Sequence, residues 1–522
     1  MKQTMGGWVS IVKRKTWGGH GGERLAFSVT QSVLLRIYHS VAKVAACASP
    51  QAKTLSIYCM STTRRRGDLR EVLYRLFDGL NVTHGQATDY VAMPLTDFVP
   101  PVDPGDLMTL CEAFHAHISS MPRLGDGGVD ALVGIASRSG GPLVHGVATI
   151  SGVPYSLANW YPEGSQGHIA VGHDAGFSGS GVTYLNGLKV GQRVIFLDDC
   201  LRSGKTACGL IRAARDNGIV VLGAVFAAEL HERGGRECLE REFPGLPVAS
   251  LCCFSSAAAK THMVSVNEDI VNATLRIQRA APPLTYAVPV PTDDDMGRWT
   301  DAALLRKFEL VLAAFVGVPI YRADNSEYPY SNFTLTDFDP LLQPQLVEAM
   351  ADCLLYLFGG PDLFRASIDI IVSEADRGGG PLALAMANRT GVRFTLANWF
   401  SDCTDVGSAT NAYVGYAGQG KIFLNGIAKG ARAYVIDDML SSGGTCEALF
   451  KGIEAAGGVL VAAGFASEKV NTGGRGRLLK QWPDARLHSA CYFISQGDRT
   501  EAHGPTENPV GNPTPLQLAG KR

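Results

Sequence analysis

The sequence predicts an α/β protein built from two copies of one domain, each a mainly parallel sheet flanked by helices, and three observations carry that prediction. First, Arg193–Thr206 reads RVIFLDDCLRSGKT: a short apolar run ending in two carboxylates, then a Gly-containing turn and a helix-forming run. Such a run predicts a buried strand of a parallel sheet leading into a helix N-terminus. Second, Arg432–Thr445 repeats the device as RAYVIDDMLSSGGT. Third, one offset of 239 residues relates Asp199 to Asp438, Asn186 to Asn425, Gly140 to Gly379, Trp160 to Trp399 and Glu229 to Glu468. A period that long is a duplicated domain, not a solenoid repeat of about 20–50 residues.

Taken in order, the chain divides into five parts. Residues 1–60 are basic, with Glu23 the one acid among eight lysines and arginines. Their composition resembles an organellar transit peptide; the alternative is a dispensable or disordered extension, since Met60 precedes a plausible start. Residues 61–280 form the first domain. A helix is expected after Asp68, on Leu69, Val72, Leu73, Leu76 and Phe77, and another over Pro104–Ser120. Strands then alternate with helices: ALVGIA, VPYSLAN, VTYLNG, RVIFLDD, VVLGAVFAAEL and LPVASLCCF. The Gly-rich stretch Tyr161–Gly181 reads as a mobile loop. Residues 281–297, rich in proline and acid, read as a linker. Residues 298–498 repeat the plan as IDIIVSE, VRFTLANW, KIFLNG, AYVIDD and VLVAAGFASEK. Residues 499–522 read as a disordered tail.

Composition excludes several classes. Apolar residues make up 46% and charged residues 18% of the 522, with a net charge of −2. That balance gives no footprint for nucleic acid. The apolar stretch Ser32–Ala48 carries Arg36, His39 and Lys43, which rules out a membrane span. The twelve cysteines form no CxxC pair and read as small buried hydrophobes of a reducing compartment. The expected location is the cytoplasm, with the mitochondrion as the alternative if the basic extension is a transit signal.

The turn after each acid pair directs N–H groups and a helix dipole at one point, which suits a phosphate; the acids suit hydroxyl groups or a metal ion. A ribose phosphate satisfies both. A Walker loop is excluded because Asp199 stands where its first glycine would fall, and no GxGxxG follows either strand.

With its flanks, this pattern resembles the ribose-diphosphate signature of type I phosphoribosyltransferases. IVSEADRGGGPLALAMANRTGVRFTLANW (371–399), EYPYSNFTLTDFDPL (327–341) and GYAGQGKIFLNG (415–426) resemble the purine subgroup, the adenine and archaeal-type hypoxanthine/guanine enzymes. The resemblance implies two tandem type I domains that transfer ribose 5-phosphate from phosphoribosyl diphosphate to a purine base in purine salvage, with Mg2+ carried by the diphosphate. It implies that Asp198, Asp199, Asp437 and Asp438 meet the ribose hydroxyls and, indirectly, the metal. Ser203, Gly204, Lys205 and Thr206, and Ser442, Gly443, Gly444 and Thr445, would wrap the 5′-phosphate. Arg138, Ser139 and Gly140, and Arg377, Gly378 and Gly379, would meet the pyrophosphate. Trp160 and Trp399 line the base pocket or pack in the core. The family is usually dimeric, which implies an intramolecular pseudo-dimer of the two copies, with a further homo-oligomer open. The alternatives are a sensor that binds without turnover, or one catalytic and one structural copy. Neither mobile loop carries Lys or Arg, and Ile135 stands where the second copy has Glu374.

Overall fold

The computed structural model describes residues 67–84, 89–121, 128–137, 139–159, 169–174, 180–280, 302–321, 330–375, 377–397, 409–415 and 418–505. The basic extension and the proline-rich linker lie outside them.

The first half runs α1 (Leu69–Phe77), β1 (Val82–His84), β2 (Asp89–Val91), α2 (Pro94–Asp97), α3 (Pro104–Ser120), β3 (Ala131–Ile135), α4 (Gly140–Ser151), β4 (Tyr155–Ala158), β5 (Ile169–Asp174), β6 (Ser180–Leu185), β7 (Arg193–Leu201), α5 (Lys205–Asp216), β8 (Val220–Leu230), α6 (Gly235–Glu242), β9 (Val248–Ser255), β10 (His262–Val266) and α7 (Glu268–Ala280). The second half runs α8 (Ala302–Ala313), β11 (Ile320–Tyr321), β12 (Tyr330–Ser331), α9 (Thr334–Asp337), α10 (Pro344–Phe358), α11 (Pro361–Ser367), β13 (Ile370–Glu374), α12 (Gly379–Thr390), β14 (Arg393–Ala397), β15 (Ala409–Gly415), β16 (Gly418–Leu424), β17 (Arg432–Leu440), α13 (Gly444–Ala455), β18 (Val459–Lys469), α14 (Gly474–Gln481), β19 (Arg486–Ser489), β20 (Tyr492–Gln496) and β21 (Arg499–His503).

Each half centres on one sheet. The first has the order β10-β9-β8-β7-β3-β4, parallel except at β10; the second has β14-β13-β17-β18-β20-β21, with β19 also on β18 and β21 antiparallel. The duplication extends to register. Arg193 pairs with Val220 and Arg432 with Val459, and both ladders bulge one residue later, at Val194/Ile195 and Ala433/Tyr434. The central strands are apolar on both faces because helices cover both, the arrangement that a parallel sheet requires. Helix α1 starts where expected because the Asp68 carboxylate accepts the N–H groups of Arg70 and Glu71.

The halves touch reciprocally. Tyr155 and Leu342 exchange main-chain hydrogen bonds at 3.0 and 2.9 Å, and Val102 and Phe394 do so at 3.2 and 3.4 Å. The Gly-Gly-Pro starts of α4 and α12 face each other: a Cβ on Gly141 would lie 3.5 Å from Pro381, and one on Gly380 would lie 3.1 Å from Pro142. One apolar cluster runs through both halves, including Leu143, Val147, Leu382 and Met386. The contact is not symmetric in charge. Glu348 receives His145 at 3.0 Å and Arg389 at 2.5 Å, and Arg389 also bonds Asp352, which holds Lys307 at 2.6 Å. Burial pushes the Glu348 carboxyl up, but Arg389 and His145 outweigh it and hold it at about 2.

Two expectations are corrected. The stretch read as a loop from Tyr161 to Gly181 contributes to an antiparallel hairpin, β5 with β6, and its counterpart forms β15 with β16. Their second strands coincide with the expected VTYLNG and KIFLNG, whereas the first lie in stretches where glycine and polar residues predominate. The tail read as disordered from Arg499 begins with β21, because Thr500 is tied down: its amide bonds the Val318 carbonyl and its hydroxyl the Phe315 carbonyl. Residues 506–522 lie outside the described part. No described helix is long and apolar enough to cross a membrane.

Candidate active site

Strand β7 does not stop at the acid pair; it runs to Leu201, and β17 runs to Leu440. Neighbouring residues of a strand point to opposite faces, yet in each pair the first carboxylate reaches the backbone of the second acid. Asp198 Oδ1 turns back to accept the Asp199 amide at 3.0 Å, and Asp437 Oδ1 accepts the Asp438 amide at 2.9 Å. Burial, and then the Asp199 charge beside it, pushes the Asp198 carboxyl well above the usual carboxylate range. Asp437 is buried, and the other three are half-buried.

The turn after each pair has the expected form. Gly204 and Gly443 cap the helices α5 and α13 in the left-handed region, at φ 73° and 79°. A side chain there would be strained and crowded, since a Cβ on Gly204 would lie 2.8 Å from the Gly235 carbonyl. Ser203, Lys205 and Thr206 crown the N-terminus of α5, with Ser442, Gly444 and Thr445 in the same places on α13. A cavity of about 390 Å³ opens over the first-half turn, walled by Asp198, Arg202, the residues from Ser203 to Ala207, and Arg233. In the first half Asp198 on the strand and the N-terminal residues of the helix therefore face one space.

The two halves differ at the loop after the first strand of each sheet. Ser139 donates its hydroxyl to Asp199 Oδ2. The equivalent residue is Gly378, where a Cβ would fall 2.7 Å from both Cβ and Oδ2 of Asp438. Gly140 and Gly379 are glycines for a local reason: a Cβ would lie 2.5 Å from the Ile135 carbonyl or from the Ser373 hydroxyl. Arg377 is half-buried and donates to Asp337 at 3.2 Å. Arg138, Trp160 and Trp399 lie outside the described residues.

Sequence reading missed Lys469. It was read only as the end of an apolar strand, but it is buried at 7% exposure. Burial lowers its ammonium to about 8. Its counterpart, Leu230, lines the first-half cavity. The signal was available: a lysine closes an otherwise apolar run in one copy and a leucine in the other. The buried pair Glu468–Arg475 at 2.5 Å, repeated as Glu229–Arg236 at 2.5 Å, anchors the end of the same strand.

No family model matches the chain. Curated relatives do. It is 30% identical over 137 residues to a hypoxanthine/guanine phosphoribosyltransferase of Methanosarcina mazei, covering 26% of this chain and 68% of that protein. A namesake from Methanobacterium lacus is 30% identical over 163 residues, covering 31% of this chain and 80% of the relative. The chain belongs to the purine-type phosphoribosyltransferase family. Solved adenine phosphoribosyltransferases also align. The one from Rhodothermus marinus has 22% identity and a TM-score of 0.29, covering 35% of this chain and 97% of that one. The one from Trypanosoma brucei has 13% identity and a TM-score of 0.31, covering 38% of this chain and 87% of that one. The stretch aligned with either relative spans only about a quarter to a third of this purine-type phosphoribosyltransferase, which carries the acid pair and turn twice.

Proposed function

We propose that this protein transfers ribose 5-phosphate from phosphoribosyl diphosphate to a purine base and releases pyrophosphate. The observation that carries the reading is the shared cavity: one wall supplies Asp198 and the other the turn from Ser203 to Thr206. In the reaction the bond from the ribose anomeric carbon to pyrophosphate breaks, a bond to a ring nitrogen of the base forms, and the base loses a proton. Charge builds on the ribose ring and on the departing pyrophosphate, so preorganised donors and acids aimed at those atoms lower the barrier.

In this reading Asp437 and Asp438 hold the ribose hydroxyls, Ser442 to Thr445 the 5′-phosphate, and Arg377, Gly378 and Gly379 the pyrophosphate. Asp198, Asp199, Ser203 to Thr206, Arg138, Ser139 and Gly140 are their counterparts. Magnesium arrives with the diphosphate, and the carboxylate oxygens nearby are hard donors of the kind it takes. Lys469, buried at the end of β18, is a hydrogen-bond donor suited to an oxo group of the base. That favours a 6-oxopurine, the class for which the curated relatives are named.

The second half is the better candidate for turnover, because Gly378 offers Asp438 no hydroxyl where Ser139 donates one to Asp199. The first half then binds without turning over or serves as structure. The reciprocal main-chain bonds between halves support a pseudo-dimer within one chain; a monomeric mass in solution at working concentration is the expected observation. The deciding assay offers phosphoribosyl diphosphate with magnesium and each of adenine, hypoxanthine, guanine and xanthine. Nucleotide and pyrophosphate should appear in equal amounts with an oxopurine. No pyrophosphate from any base would leave only the sensor reading.

A further inference from the structure

Behind the first-half phosphate turn, among the described residues, one cluster brings two thiols and a carboxylate together. Cys208 is the fourth residue of α5, and α6 lies against the start of that helix. The approach is so close that a Cβ on Gly235 would lie 2.2 Å from the Arg202 carbonyl. Helix α6 carries Cys238 and, one turn on, Glu242. The sulfurs of Cys208 and Cys238 are 3.5 Å apart, and Cys238 Sγ is 3.8 Å from Glu242 Oε1. The second oxygen of Glu242, Oε2, is held by Arg212, which leaves Oε1 to the sulfurs.

The duplicated half shows what these positions do elsewhere. The counterparts of Cys208, Arg212, Cys238 and Glu242 are Glu447, Lys451, Arg477 and Gln481. There Glu447 receives Arg477 at 2.6 Å and Lys451 at 2.6 Å, so an ion pair ties the two helices together. The first half has the same two helices in the same contact, but neither Cys208 nor Cys238 offers a charge of opposite sign to the other. Arg212 and Glu242 already pair across the two helices, and a cation from outside would add a second tie at the sulfurs.

We propose that Cys208, Cys238 and Glu242 bind a thiophilic divalent cation of the zinc type, clamping α5 to α6 beneath the phosphate turn. The three donor atoms lie within 4.8 Å of one another. A triangle with the observed sides has a centre about 2.4 Å or less from each corner, which matches Zn–S near 2.3 Å and Zn–O near 2.0–2.2 Å. Binding releases the two thiol protons to solvent. Two thiolates, one carboxylate and a divalent cation then leave a single negative charge, which Arg212 faces. Water fills the fourth position. A disulfide fits less well, because its S–S bond of about 2.05 Å would need the sulfurs to close by roughly 1.5 Å.

The test uses the full chain, reduced and metal-free, titrated with cobalt and then with zinc against a chromophoric chelator. One equivalent of cobalt should give a thiolate charge-transfer band that zinc abolishes. Cys208→Ser and Cys238→Ser should lose the band, Cys253→Ser should keep it, and Glu242→Gln should weaken binding about tenfold. The double exchange Cys208→Glu with Cys238→Arg copies the second half; it should fold, bind no metal and melt at one temperature with or without zinc, whereas the unmodified chain melts higher with zinc. No cobalt–thiolate band, a band that survives Cys208→Ser, or a melt of the unmodified chain that zinc does not raise would overturn the proposal. None of these readouts depends on phosphoribosyl transfer, so failure here leaves the proposed reaction standing.

Discussion

Asn186 in the first half donates from Nδ2 to the main-chain carbonyl of Asp337 in the second, at 2.9 Å. The Asp337 carboxylate in turn holds Arg377 at 3.2 Å, and also accepts the Phe333 amide and the Thr336 hydroxyl. Asn425 makes the mirrored bond to the Asp97 carbonyl at 3.1 Å. Each half therefore grips the segment of the other half that carries the buried aspartate.

Removing that grip should reach Arg377. Asn186→Ala leaves a buried carbonyl without its donor, a loss of about 1–3 kcal/mol, and loosens the segment that aims Arg377. The KM for phosphoribosyl diphosphate should rise with little change in the KM for the base. Asn425→Ala, which grips the other half, should leave both constants in place if the second half carries turnover. A lowered melting temperature with unchanged KM values would make Asn186 a purely structural residue.

A single-residue difference between the halves gives the next test. In Gly378→Ser the new Cβ would sit 2.7 Å from Asp438, and its hydroxyl would engage the carboxylate as Ser139 engages Asp199. Displacing the acid by about an ångström should cost about 100-fold in kcat/KM. Ser139→Gly should leave the activity of the second half untouched and, if Ser139 alone silences the first half, raise total turnover. Full activity in Gly378→Ser would show that Asp438 is not at the reacting centre.

The parts of this fold that were legible are those encoded locally. Strands β7 and β17 are apolar runs bounded by charge, and the Asp pairs and turns sit in contiguous sequence at a constant offset. What was not legible depends on partners far along the chain. Strand β21 exists because Thr500 reaches Phe315 and Val318. Asp337 reads as one more loop acid until Arg377 and Asn186 close around it. Cys208 and Cys238 stand 30 residues apart with no spacing motif. The two hairpins were legible only in their second strands, VTYLNG and KIFLNG; the first strands lie in stretches where glycine and polar residues predominate, although Ile169 and Val171 join Leu185 in the core.

A buried histidine predicts how stability responds to acid. His488 on β19 is 2% exposed, and neither ring nitrogen has a hydrogen-bond partner among the described residues. Burial, helped by Arg486 and Arg475, lowers its pKa to about 3. The unfolded chain, with a histidine near 6.5, takes the proton first. Stability is therefore complete above about pH 6.5 and falls as the pH drops toward 3, by up to about 1.4 kcal/mol per unit. Glu348, held at about 2, adds a loss of the same sign but only below the ordinary carboxylate range. Between pH 6.5 and 5 His115 and His117, which burial also lowers, add losses of the same sign, so His488→Leu should flatten the decline measured by denaturant melts in part. Equal slopes in both proteins would refute the assignment.

The acid pairs separate one working half from two. Asp437→Asn with Asp438→Asn, and Asp198→Asn with Asp199→Asn, keep shape and remove charge, so both proteins should fold; circular dichroism and a thermal melt check that. Asn cannot stabilise the positive character that develops on the ribose, and it binds magnesium-linked hydroxyl groups less well. If both halves turned over independently, each double variant would keep about half the rate, and the losses would add. The hydroxyl that Ser139 donates to Asp199, for which Gly378 has no equivalent, predicts otherwise. The second-half variant should fall to near the uncatalysed rate, and the first-half variant should keep nearly all of it. Because Asn186 of the first half still grips Asp337 in both proteins, any loss in the first-half variant reports its own chemistry and not a released Arg377. Undiminished activity without Asp437 and Asp438 would move the working site to the first half, where the cavity over Ser203 to Thr206 would then be the place of reaction.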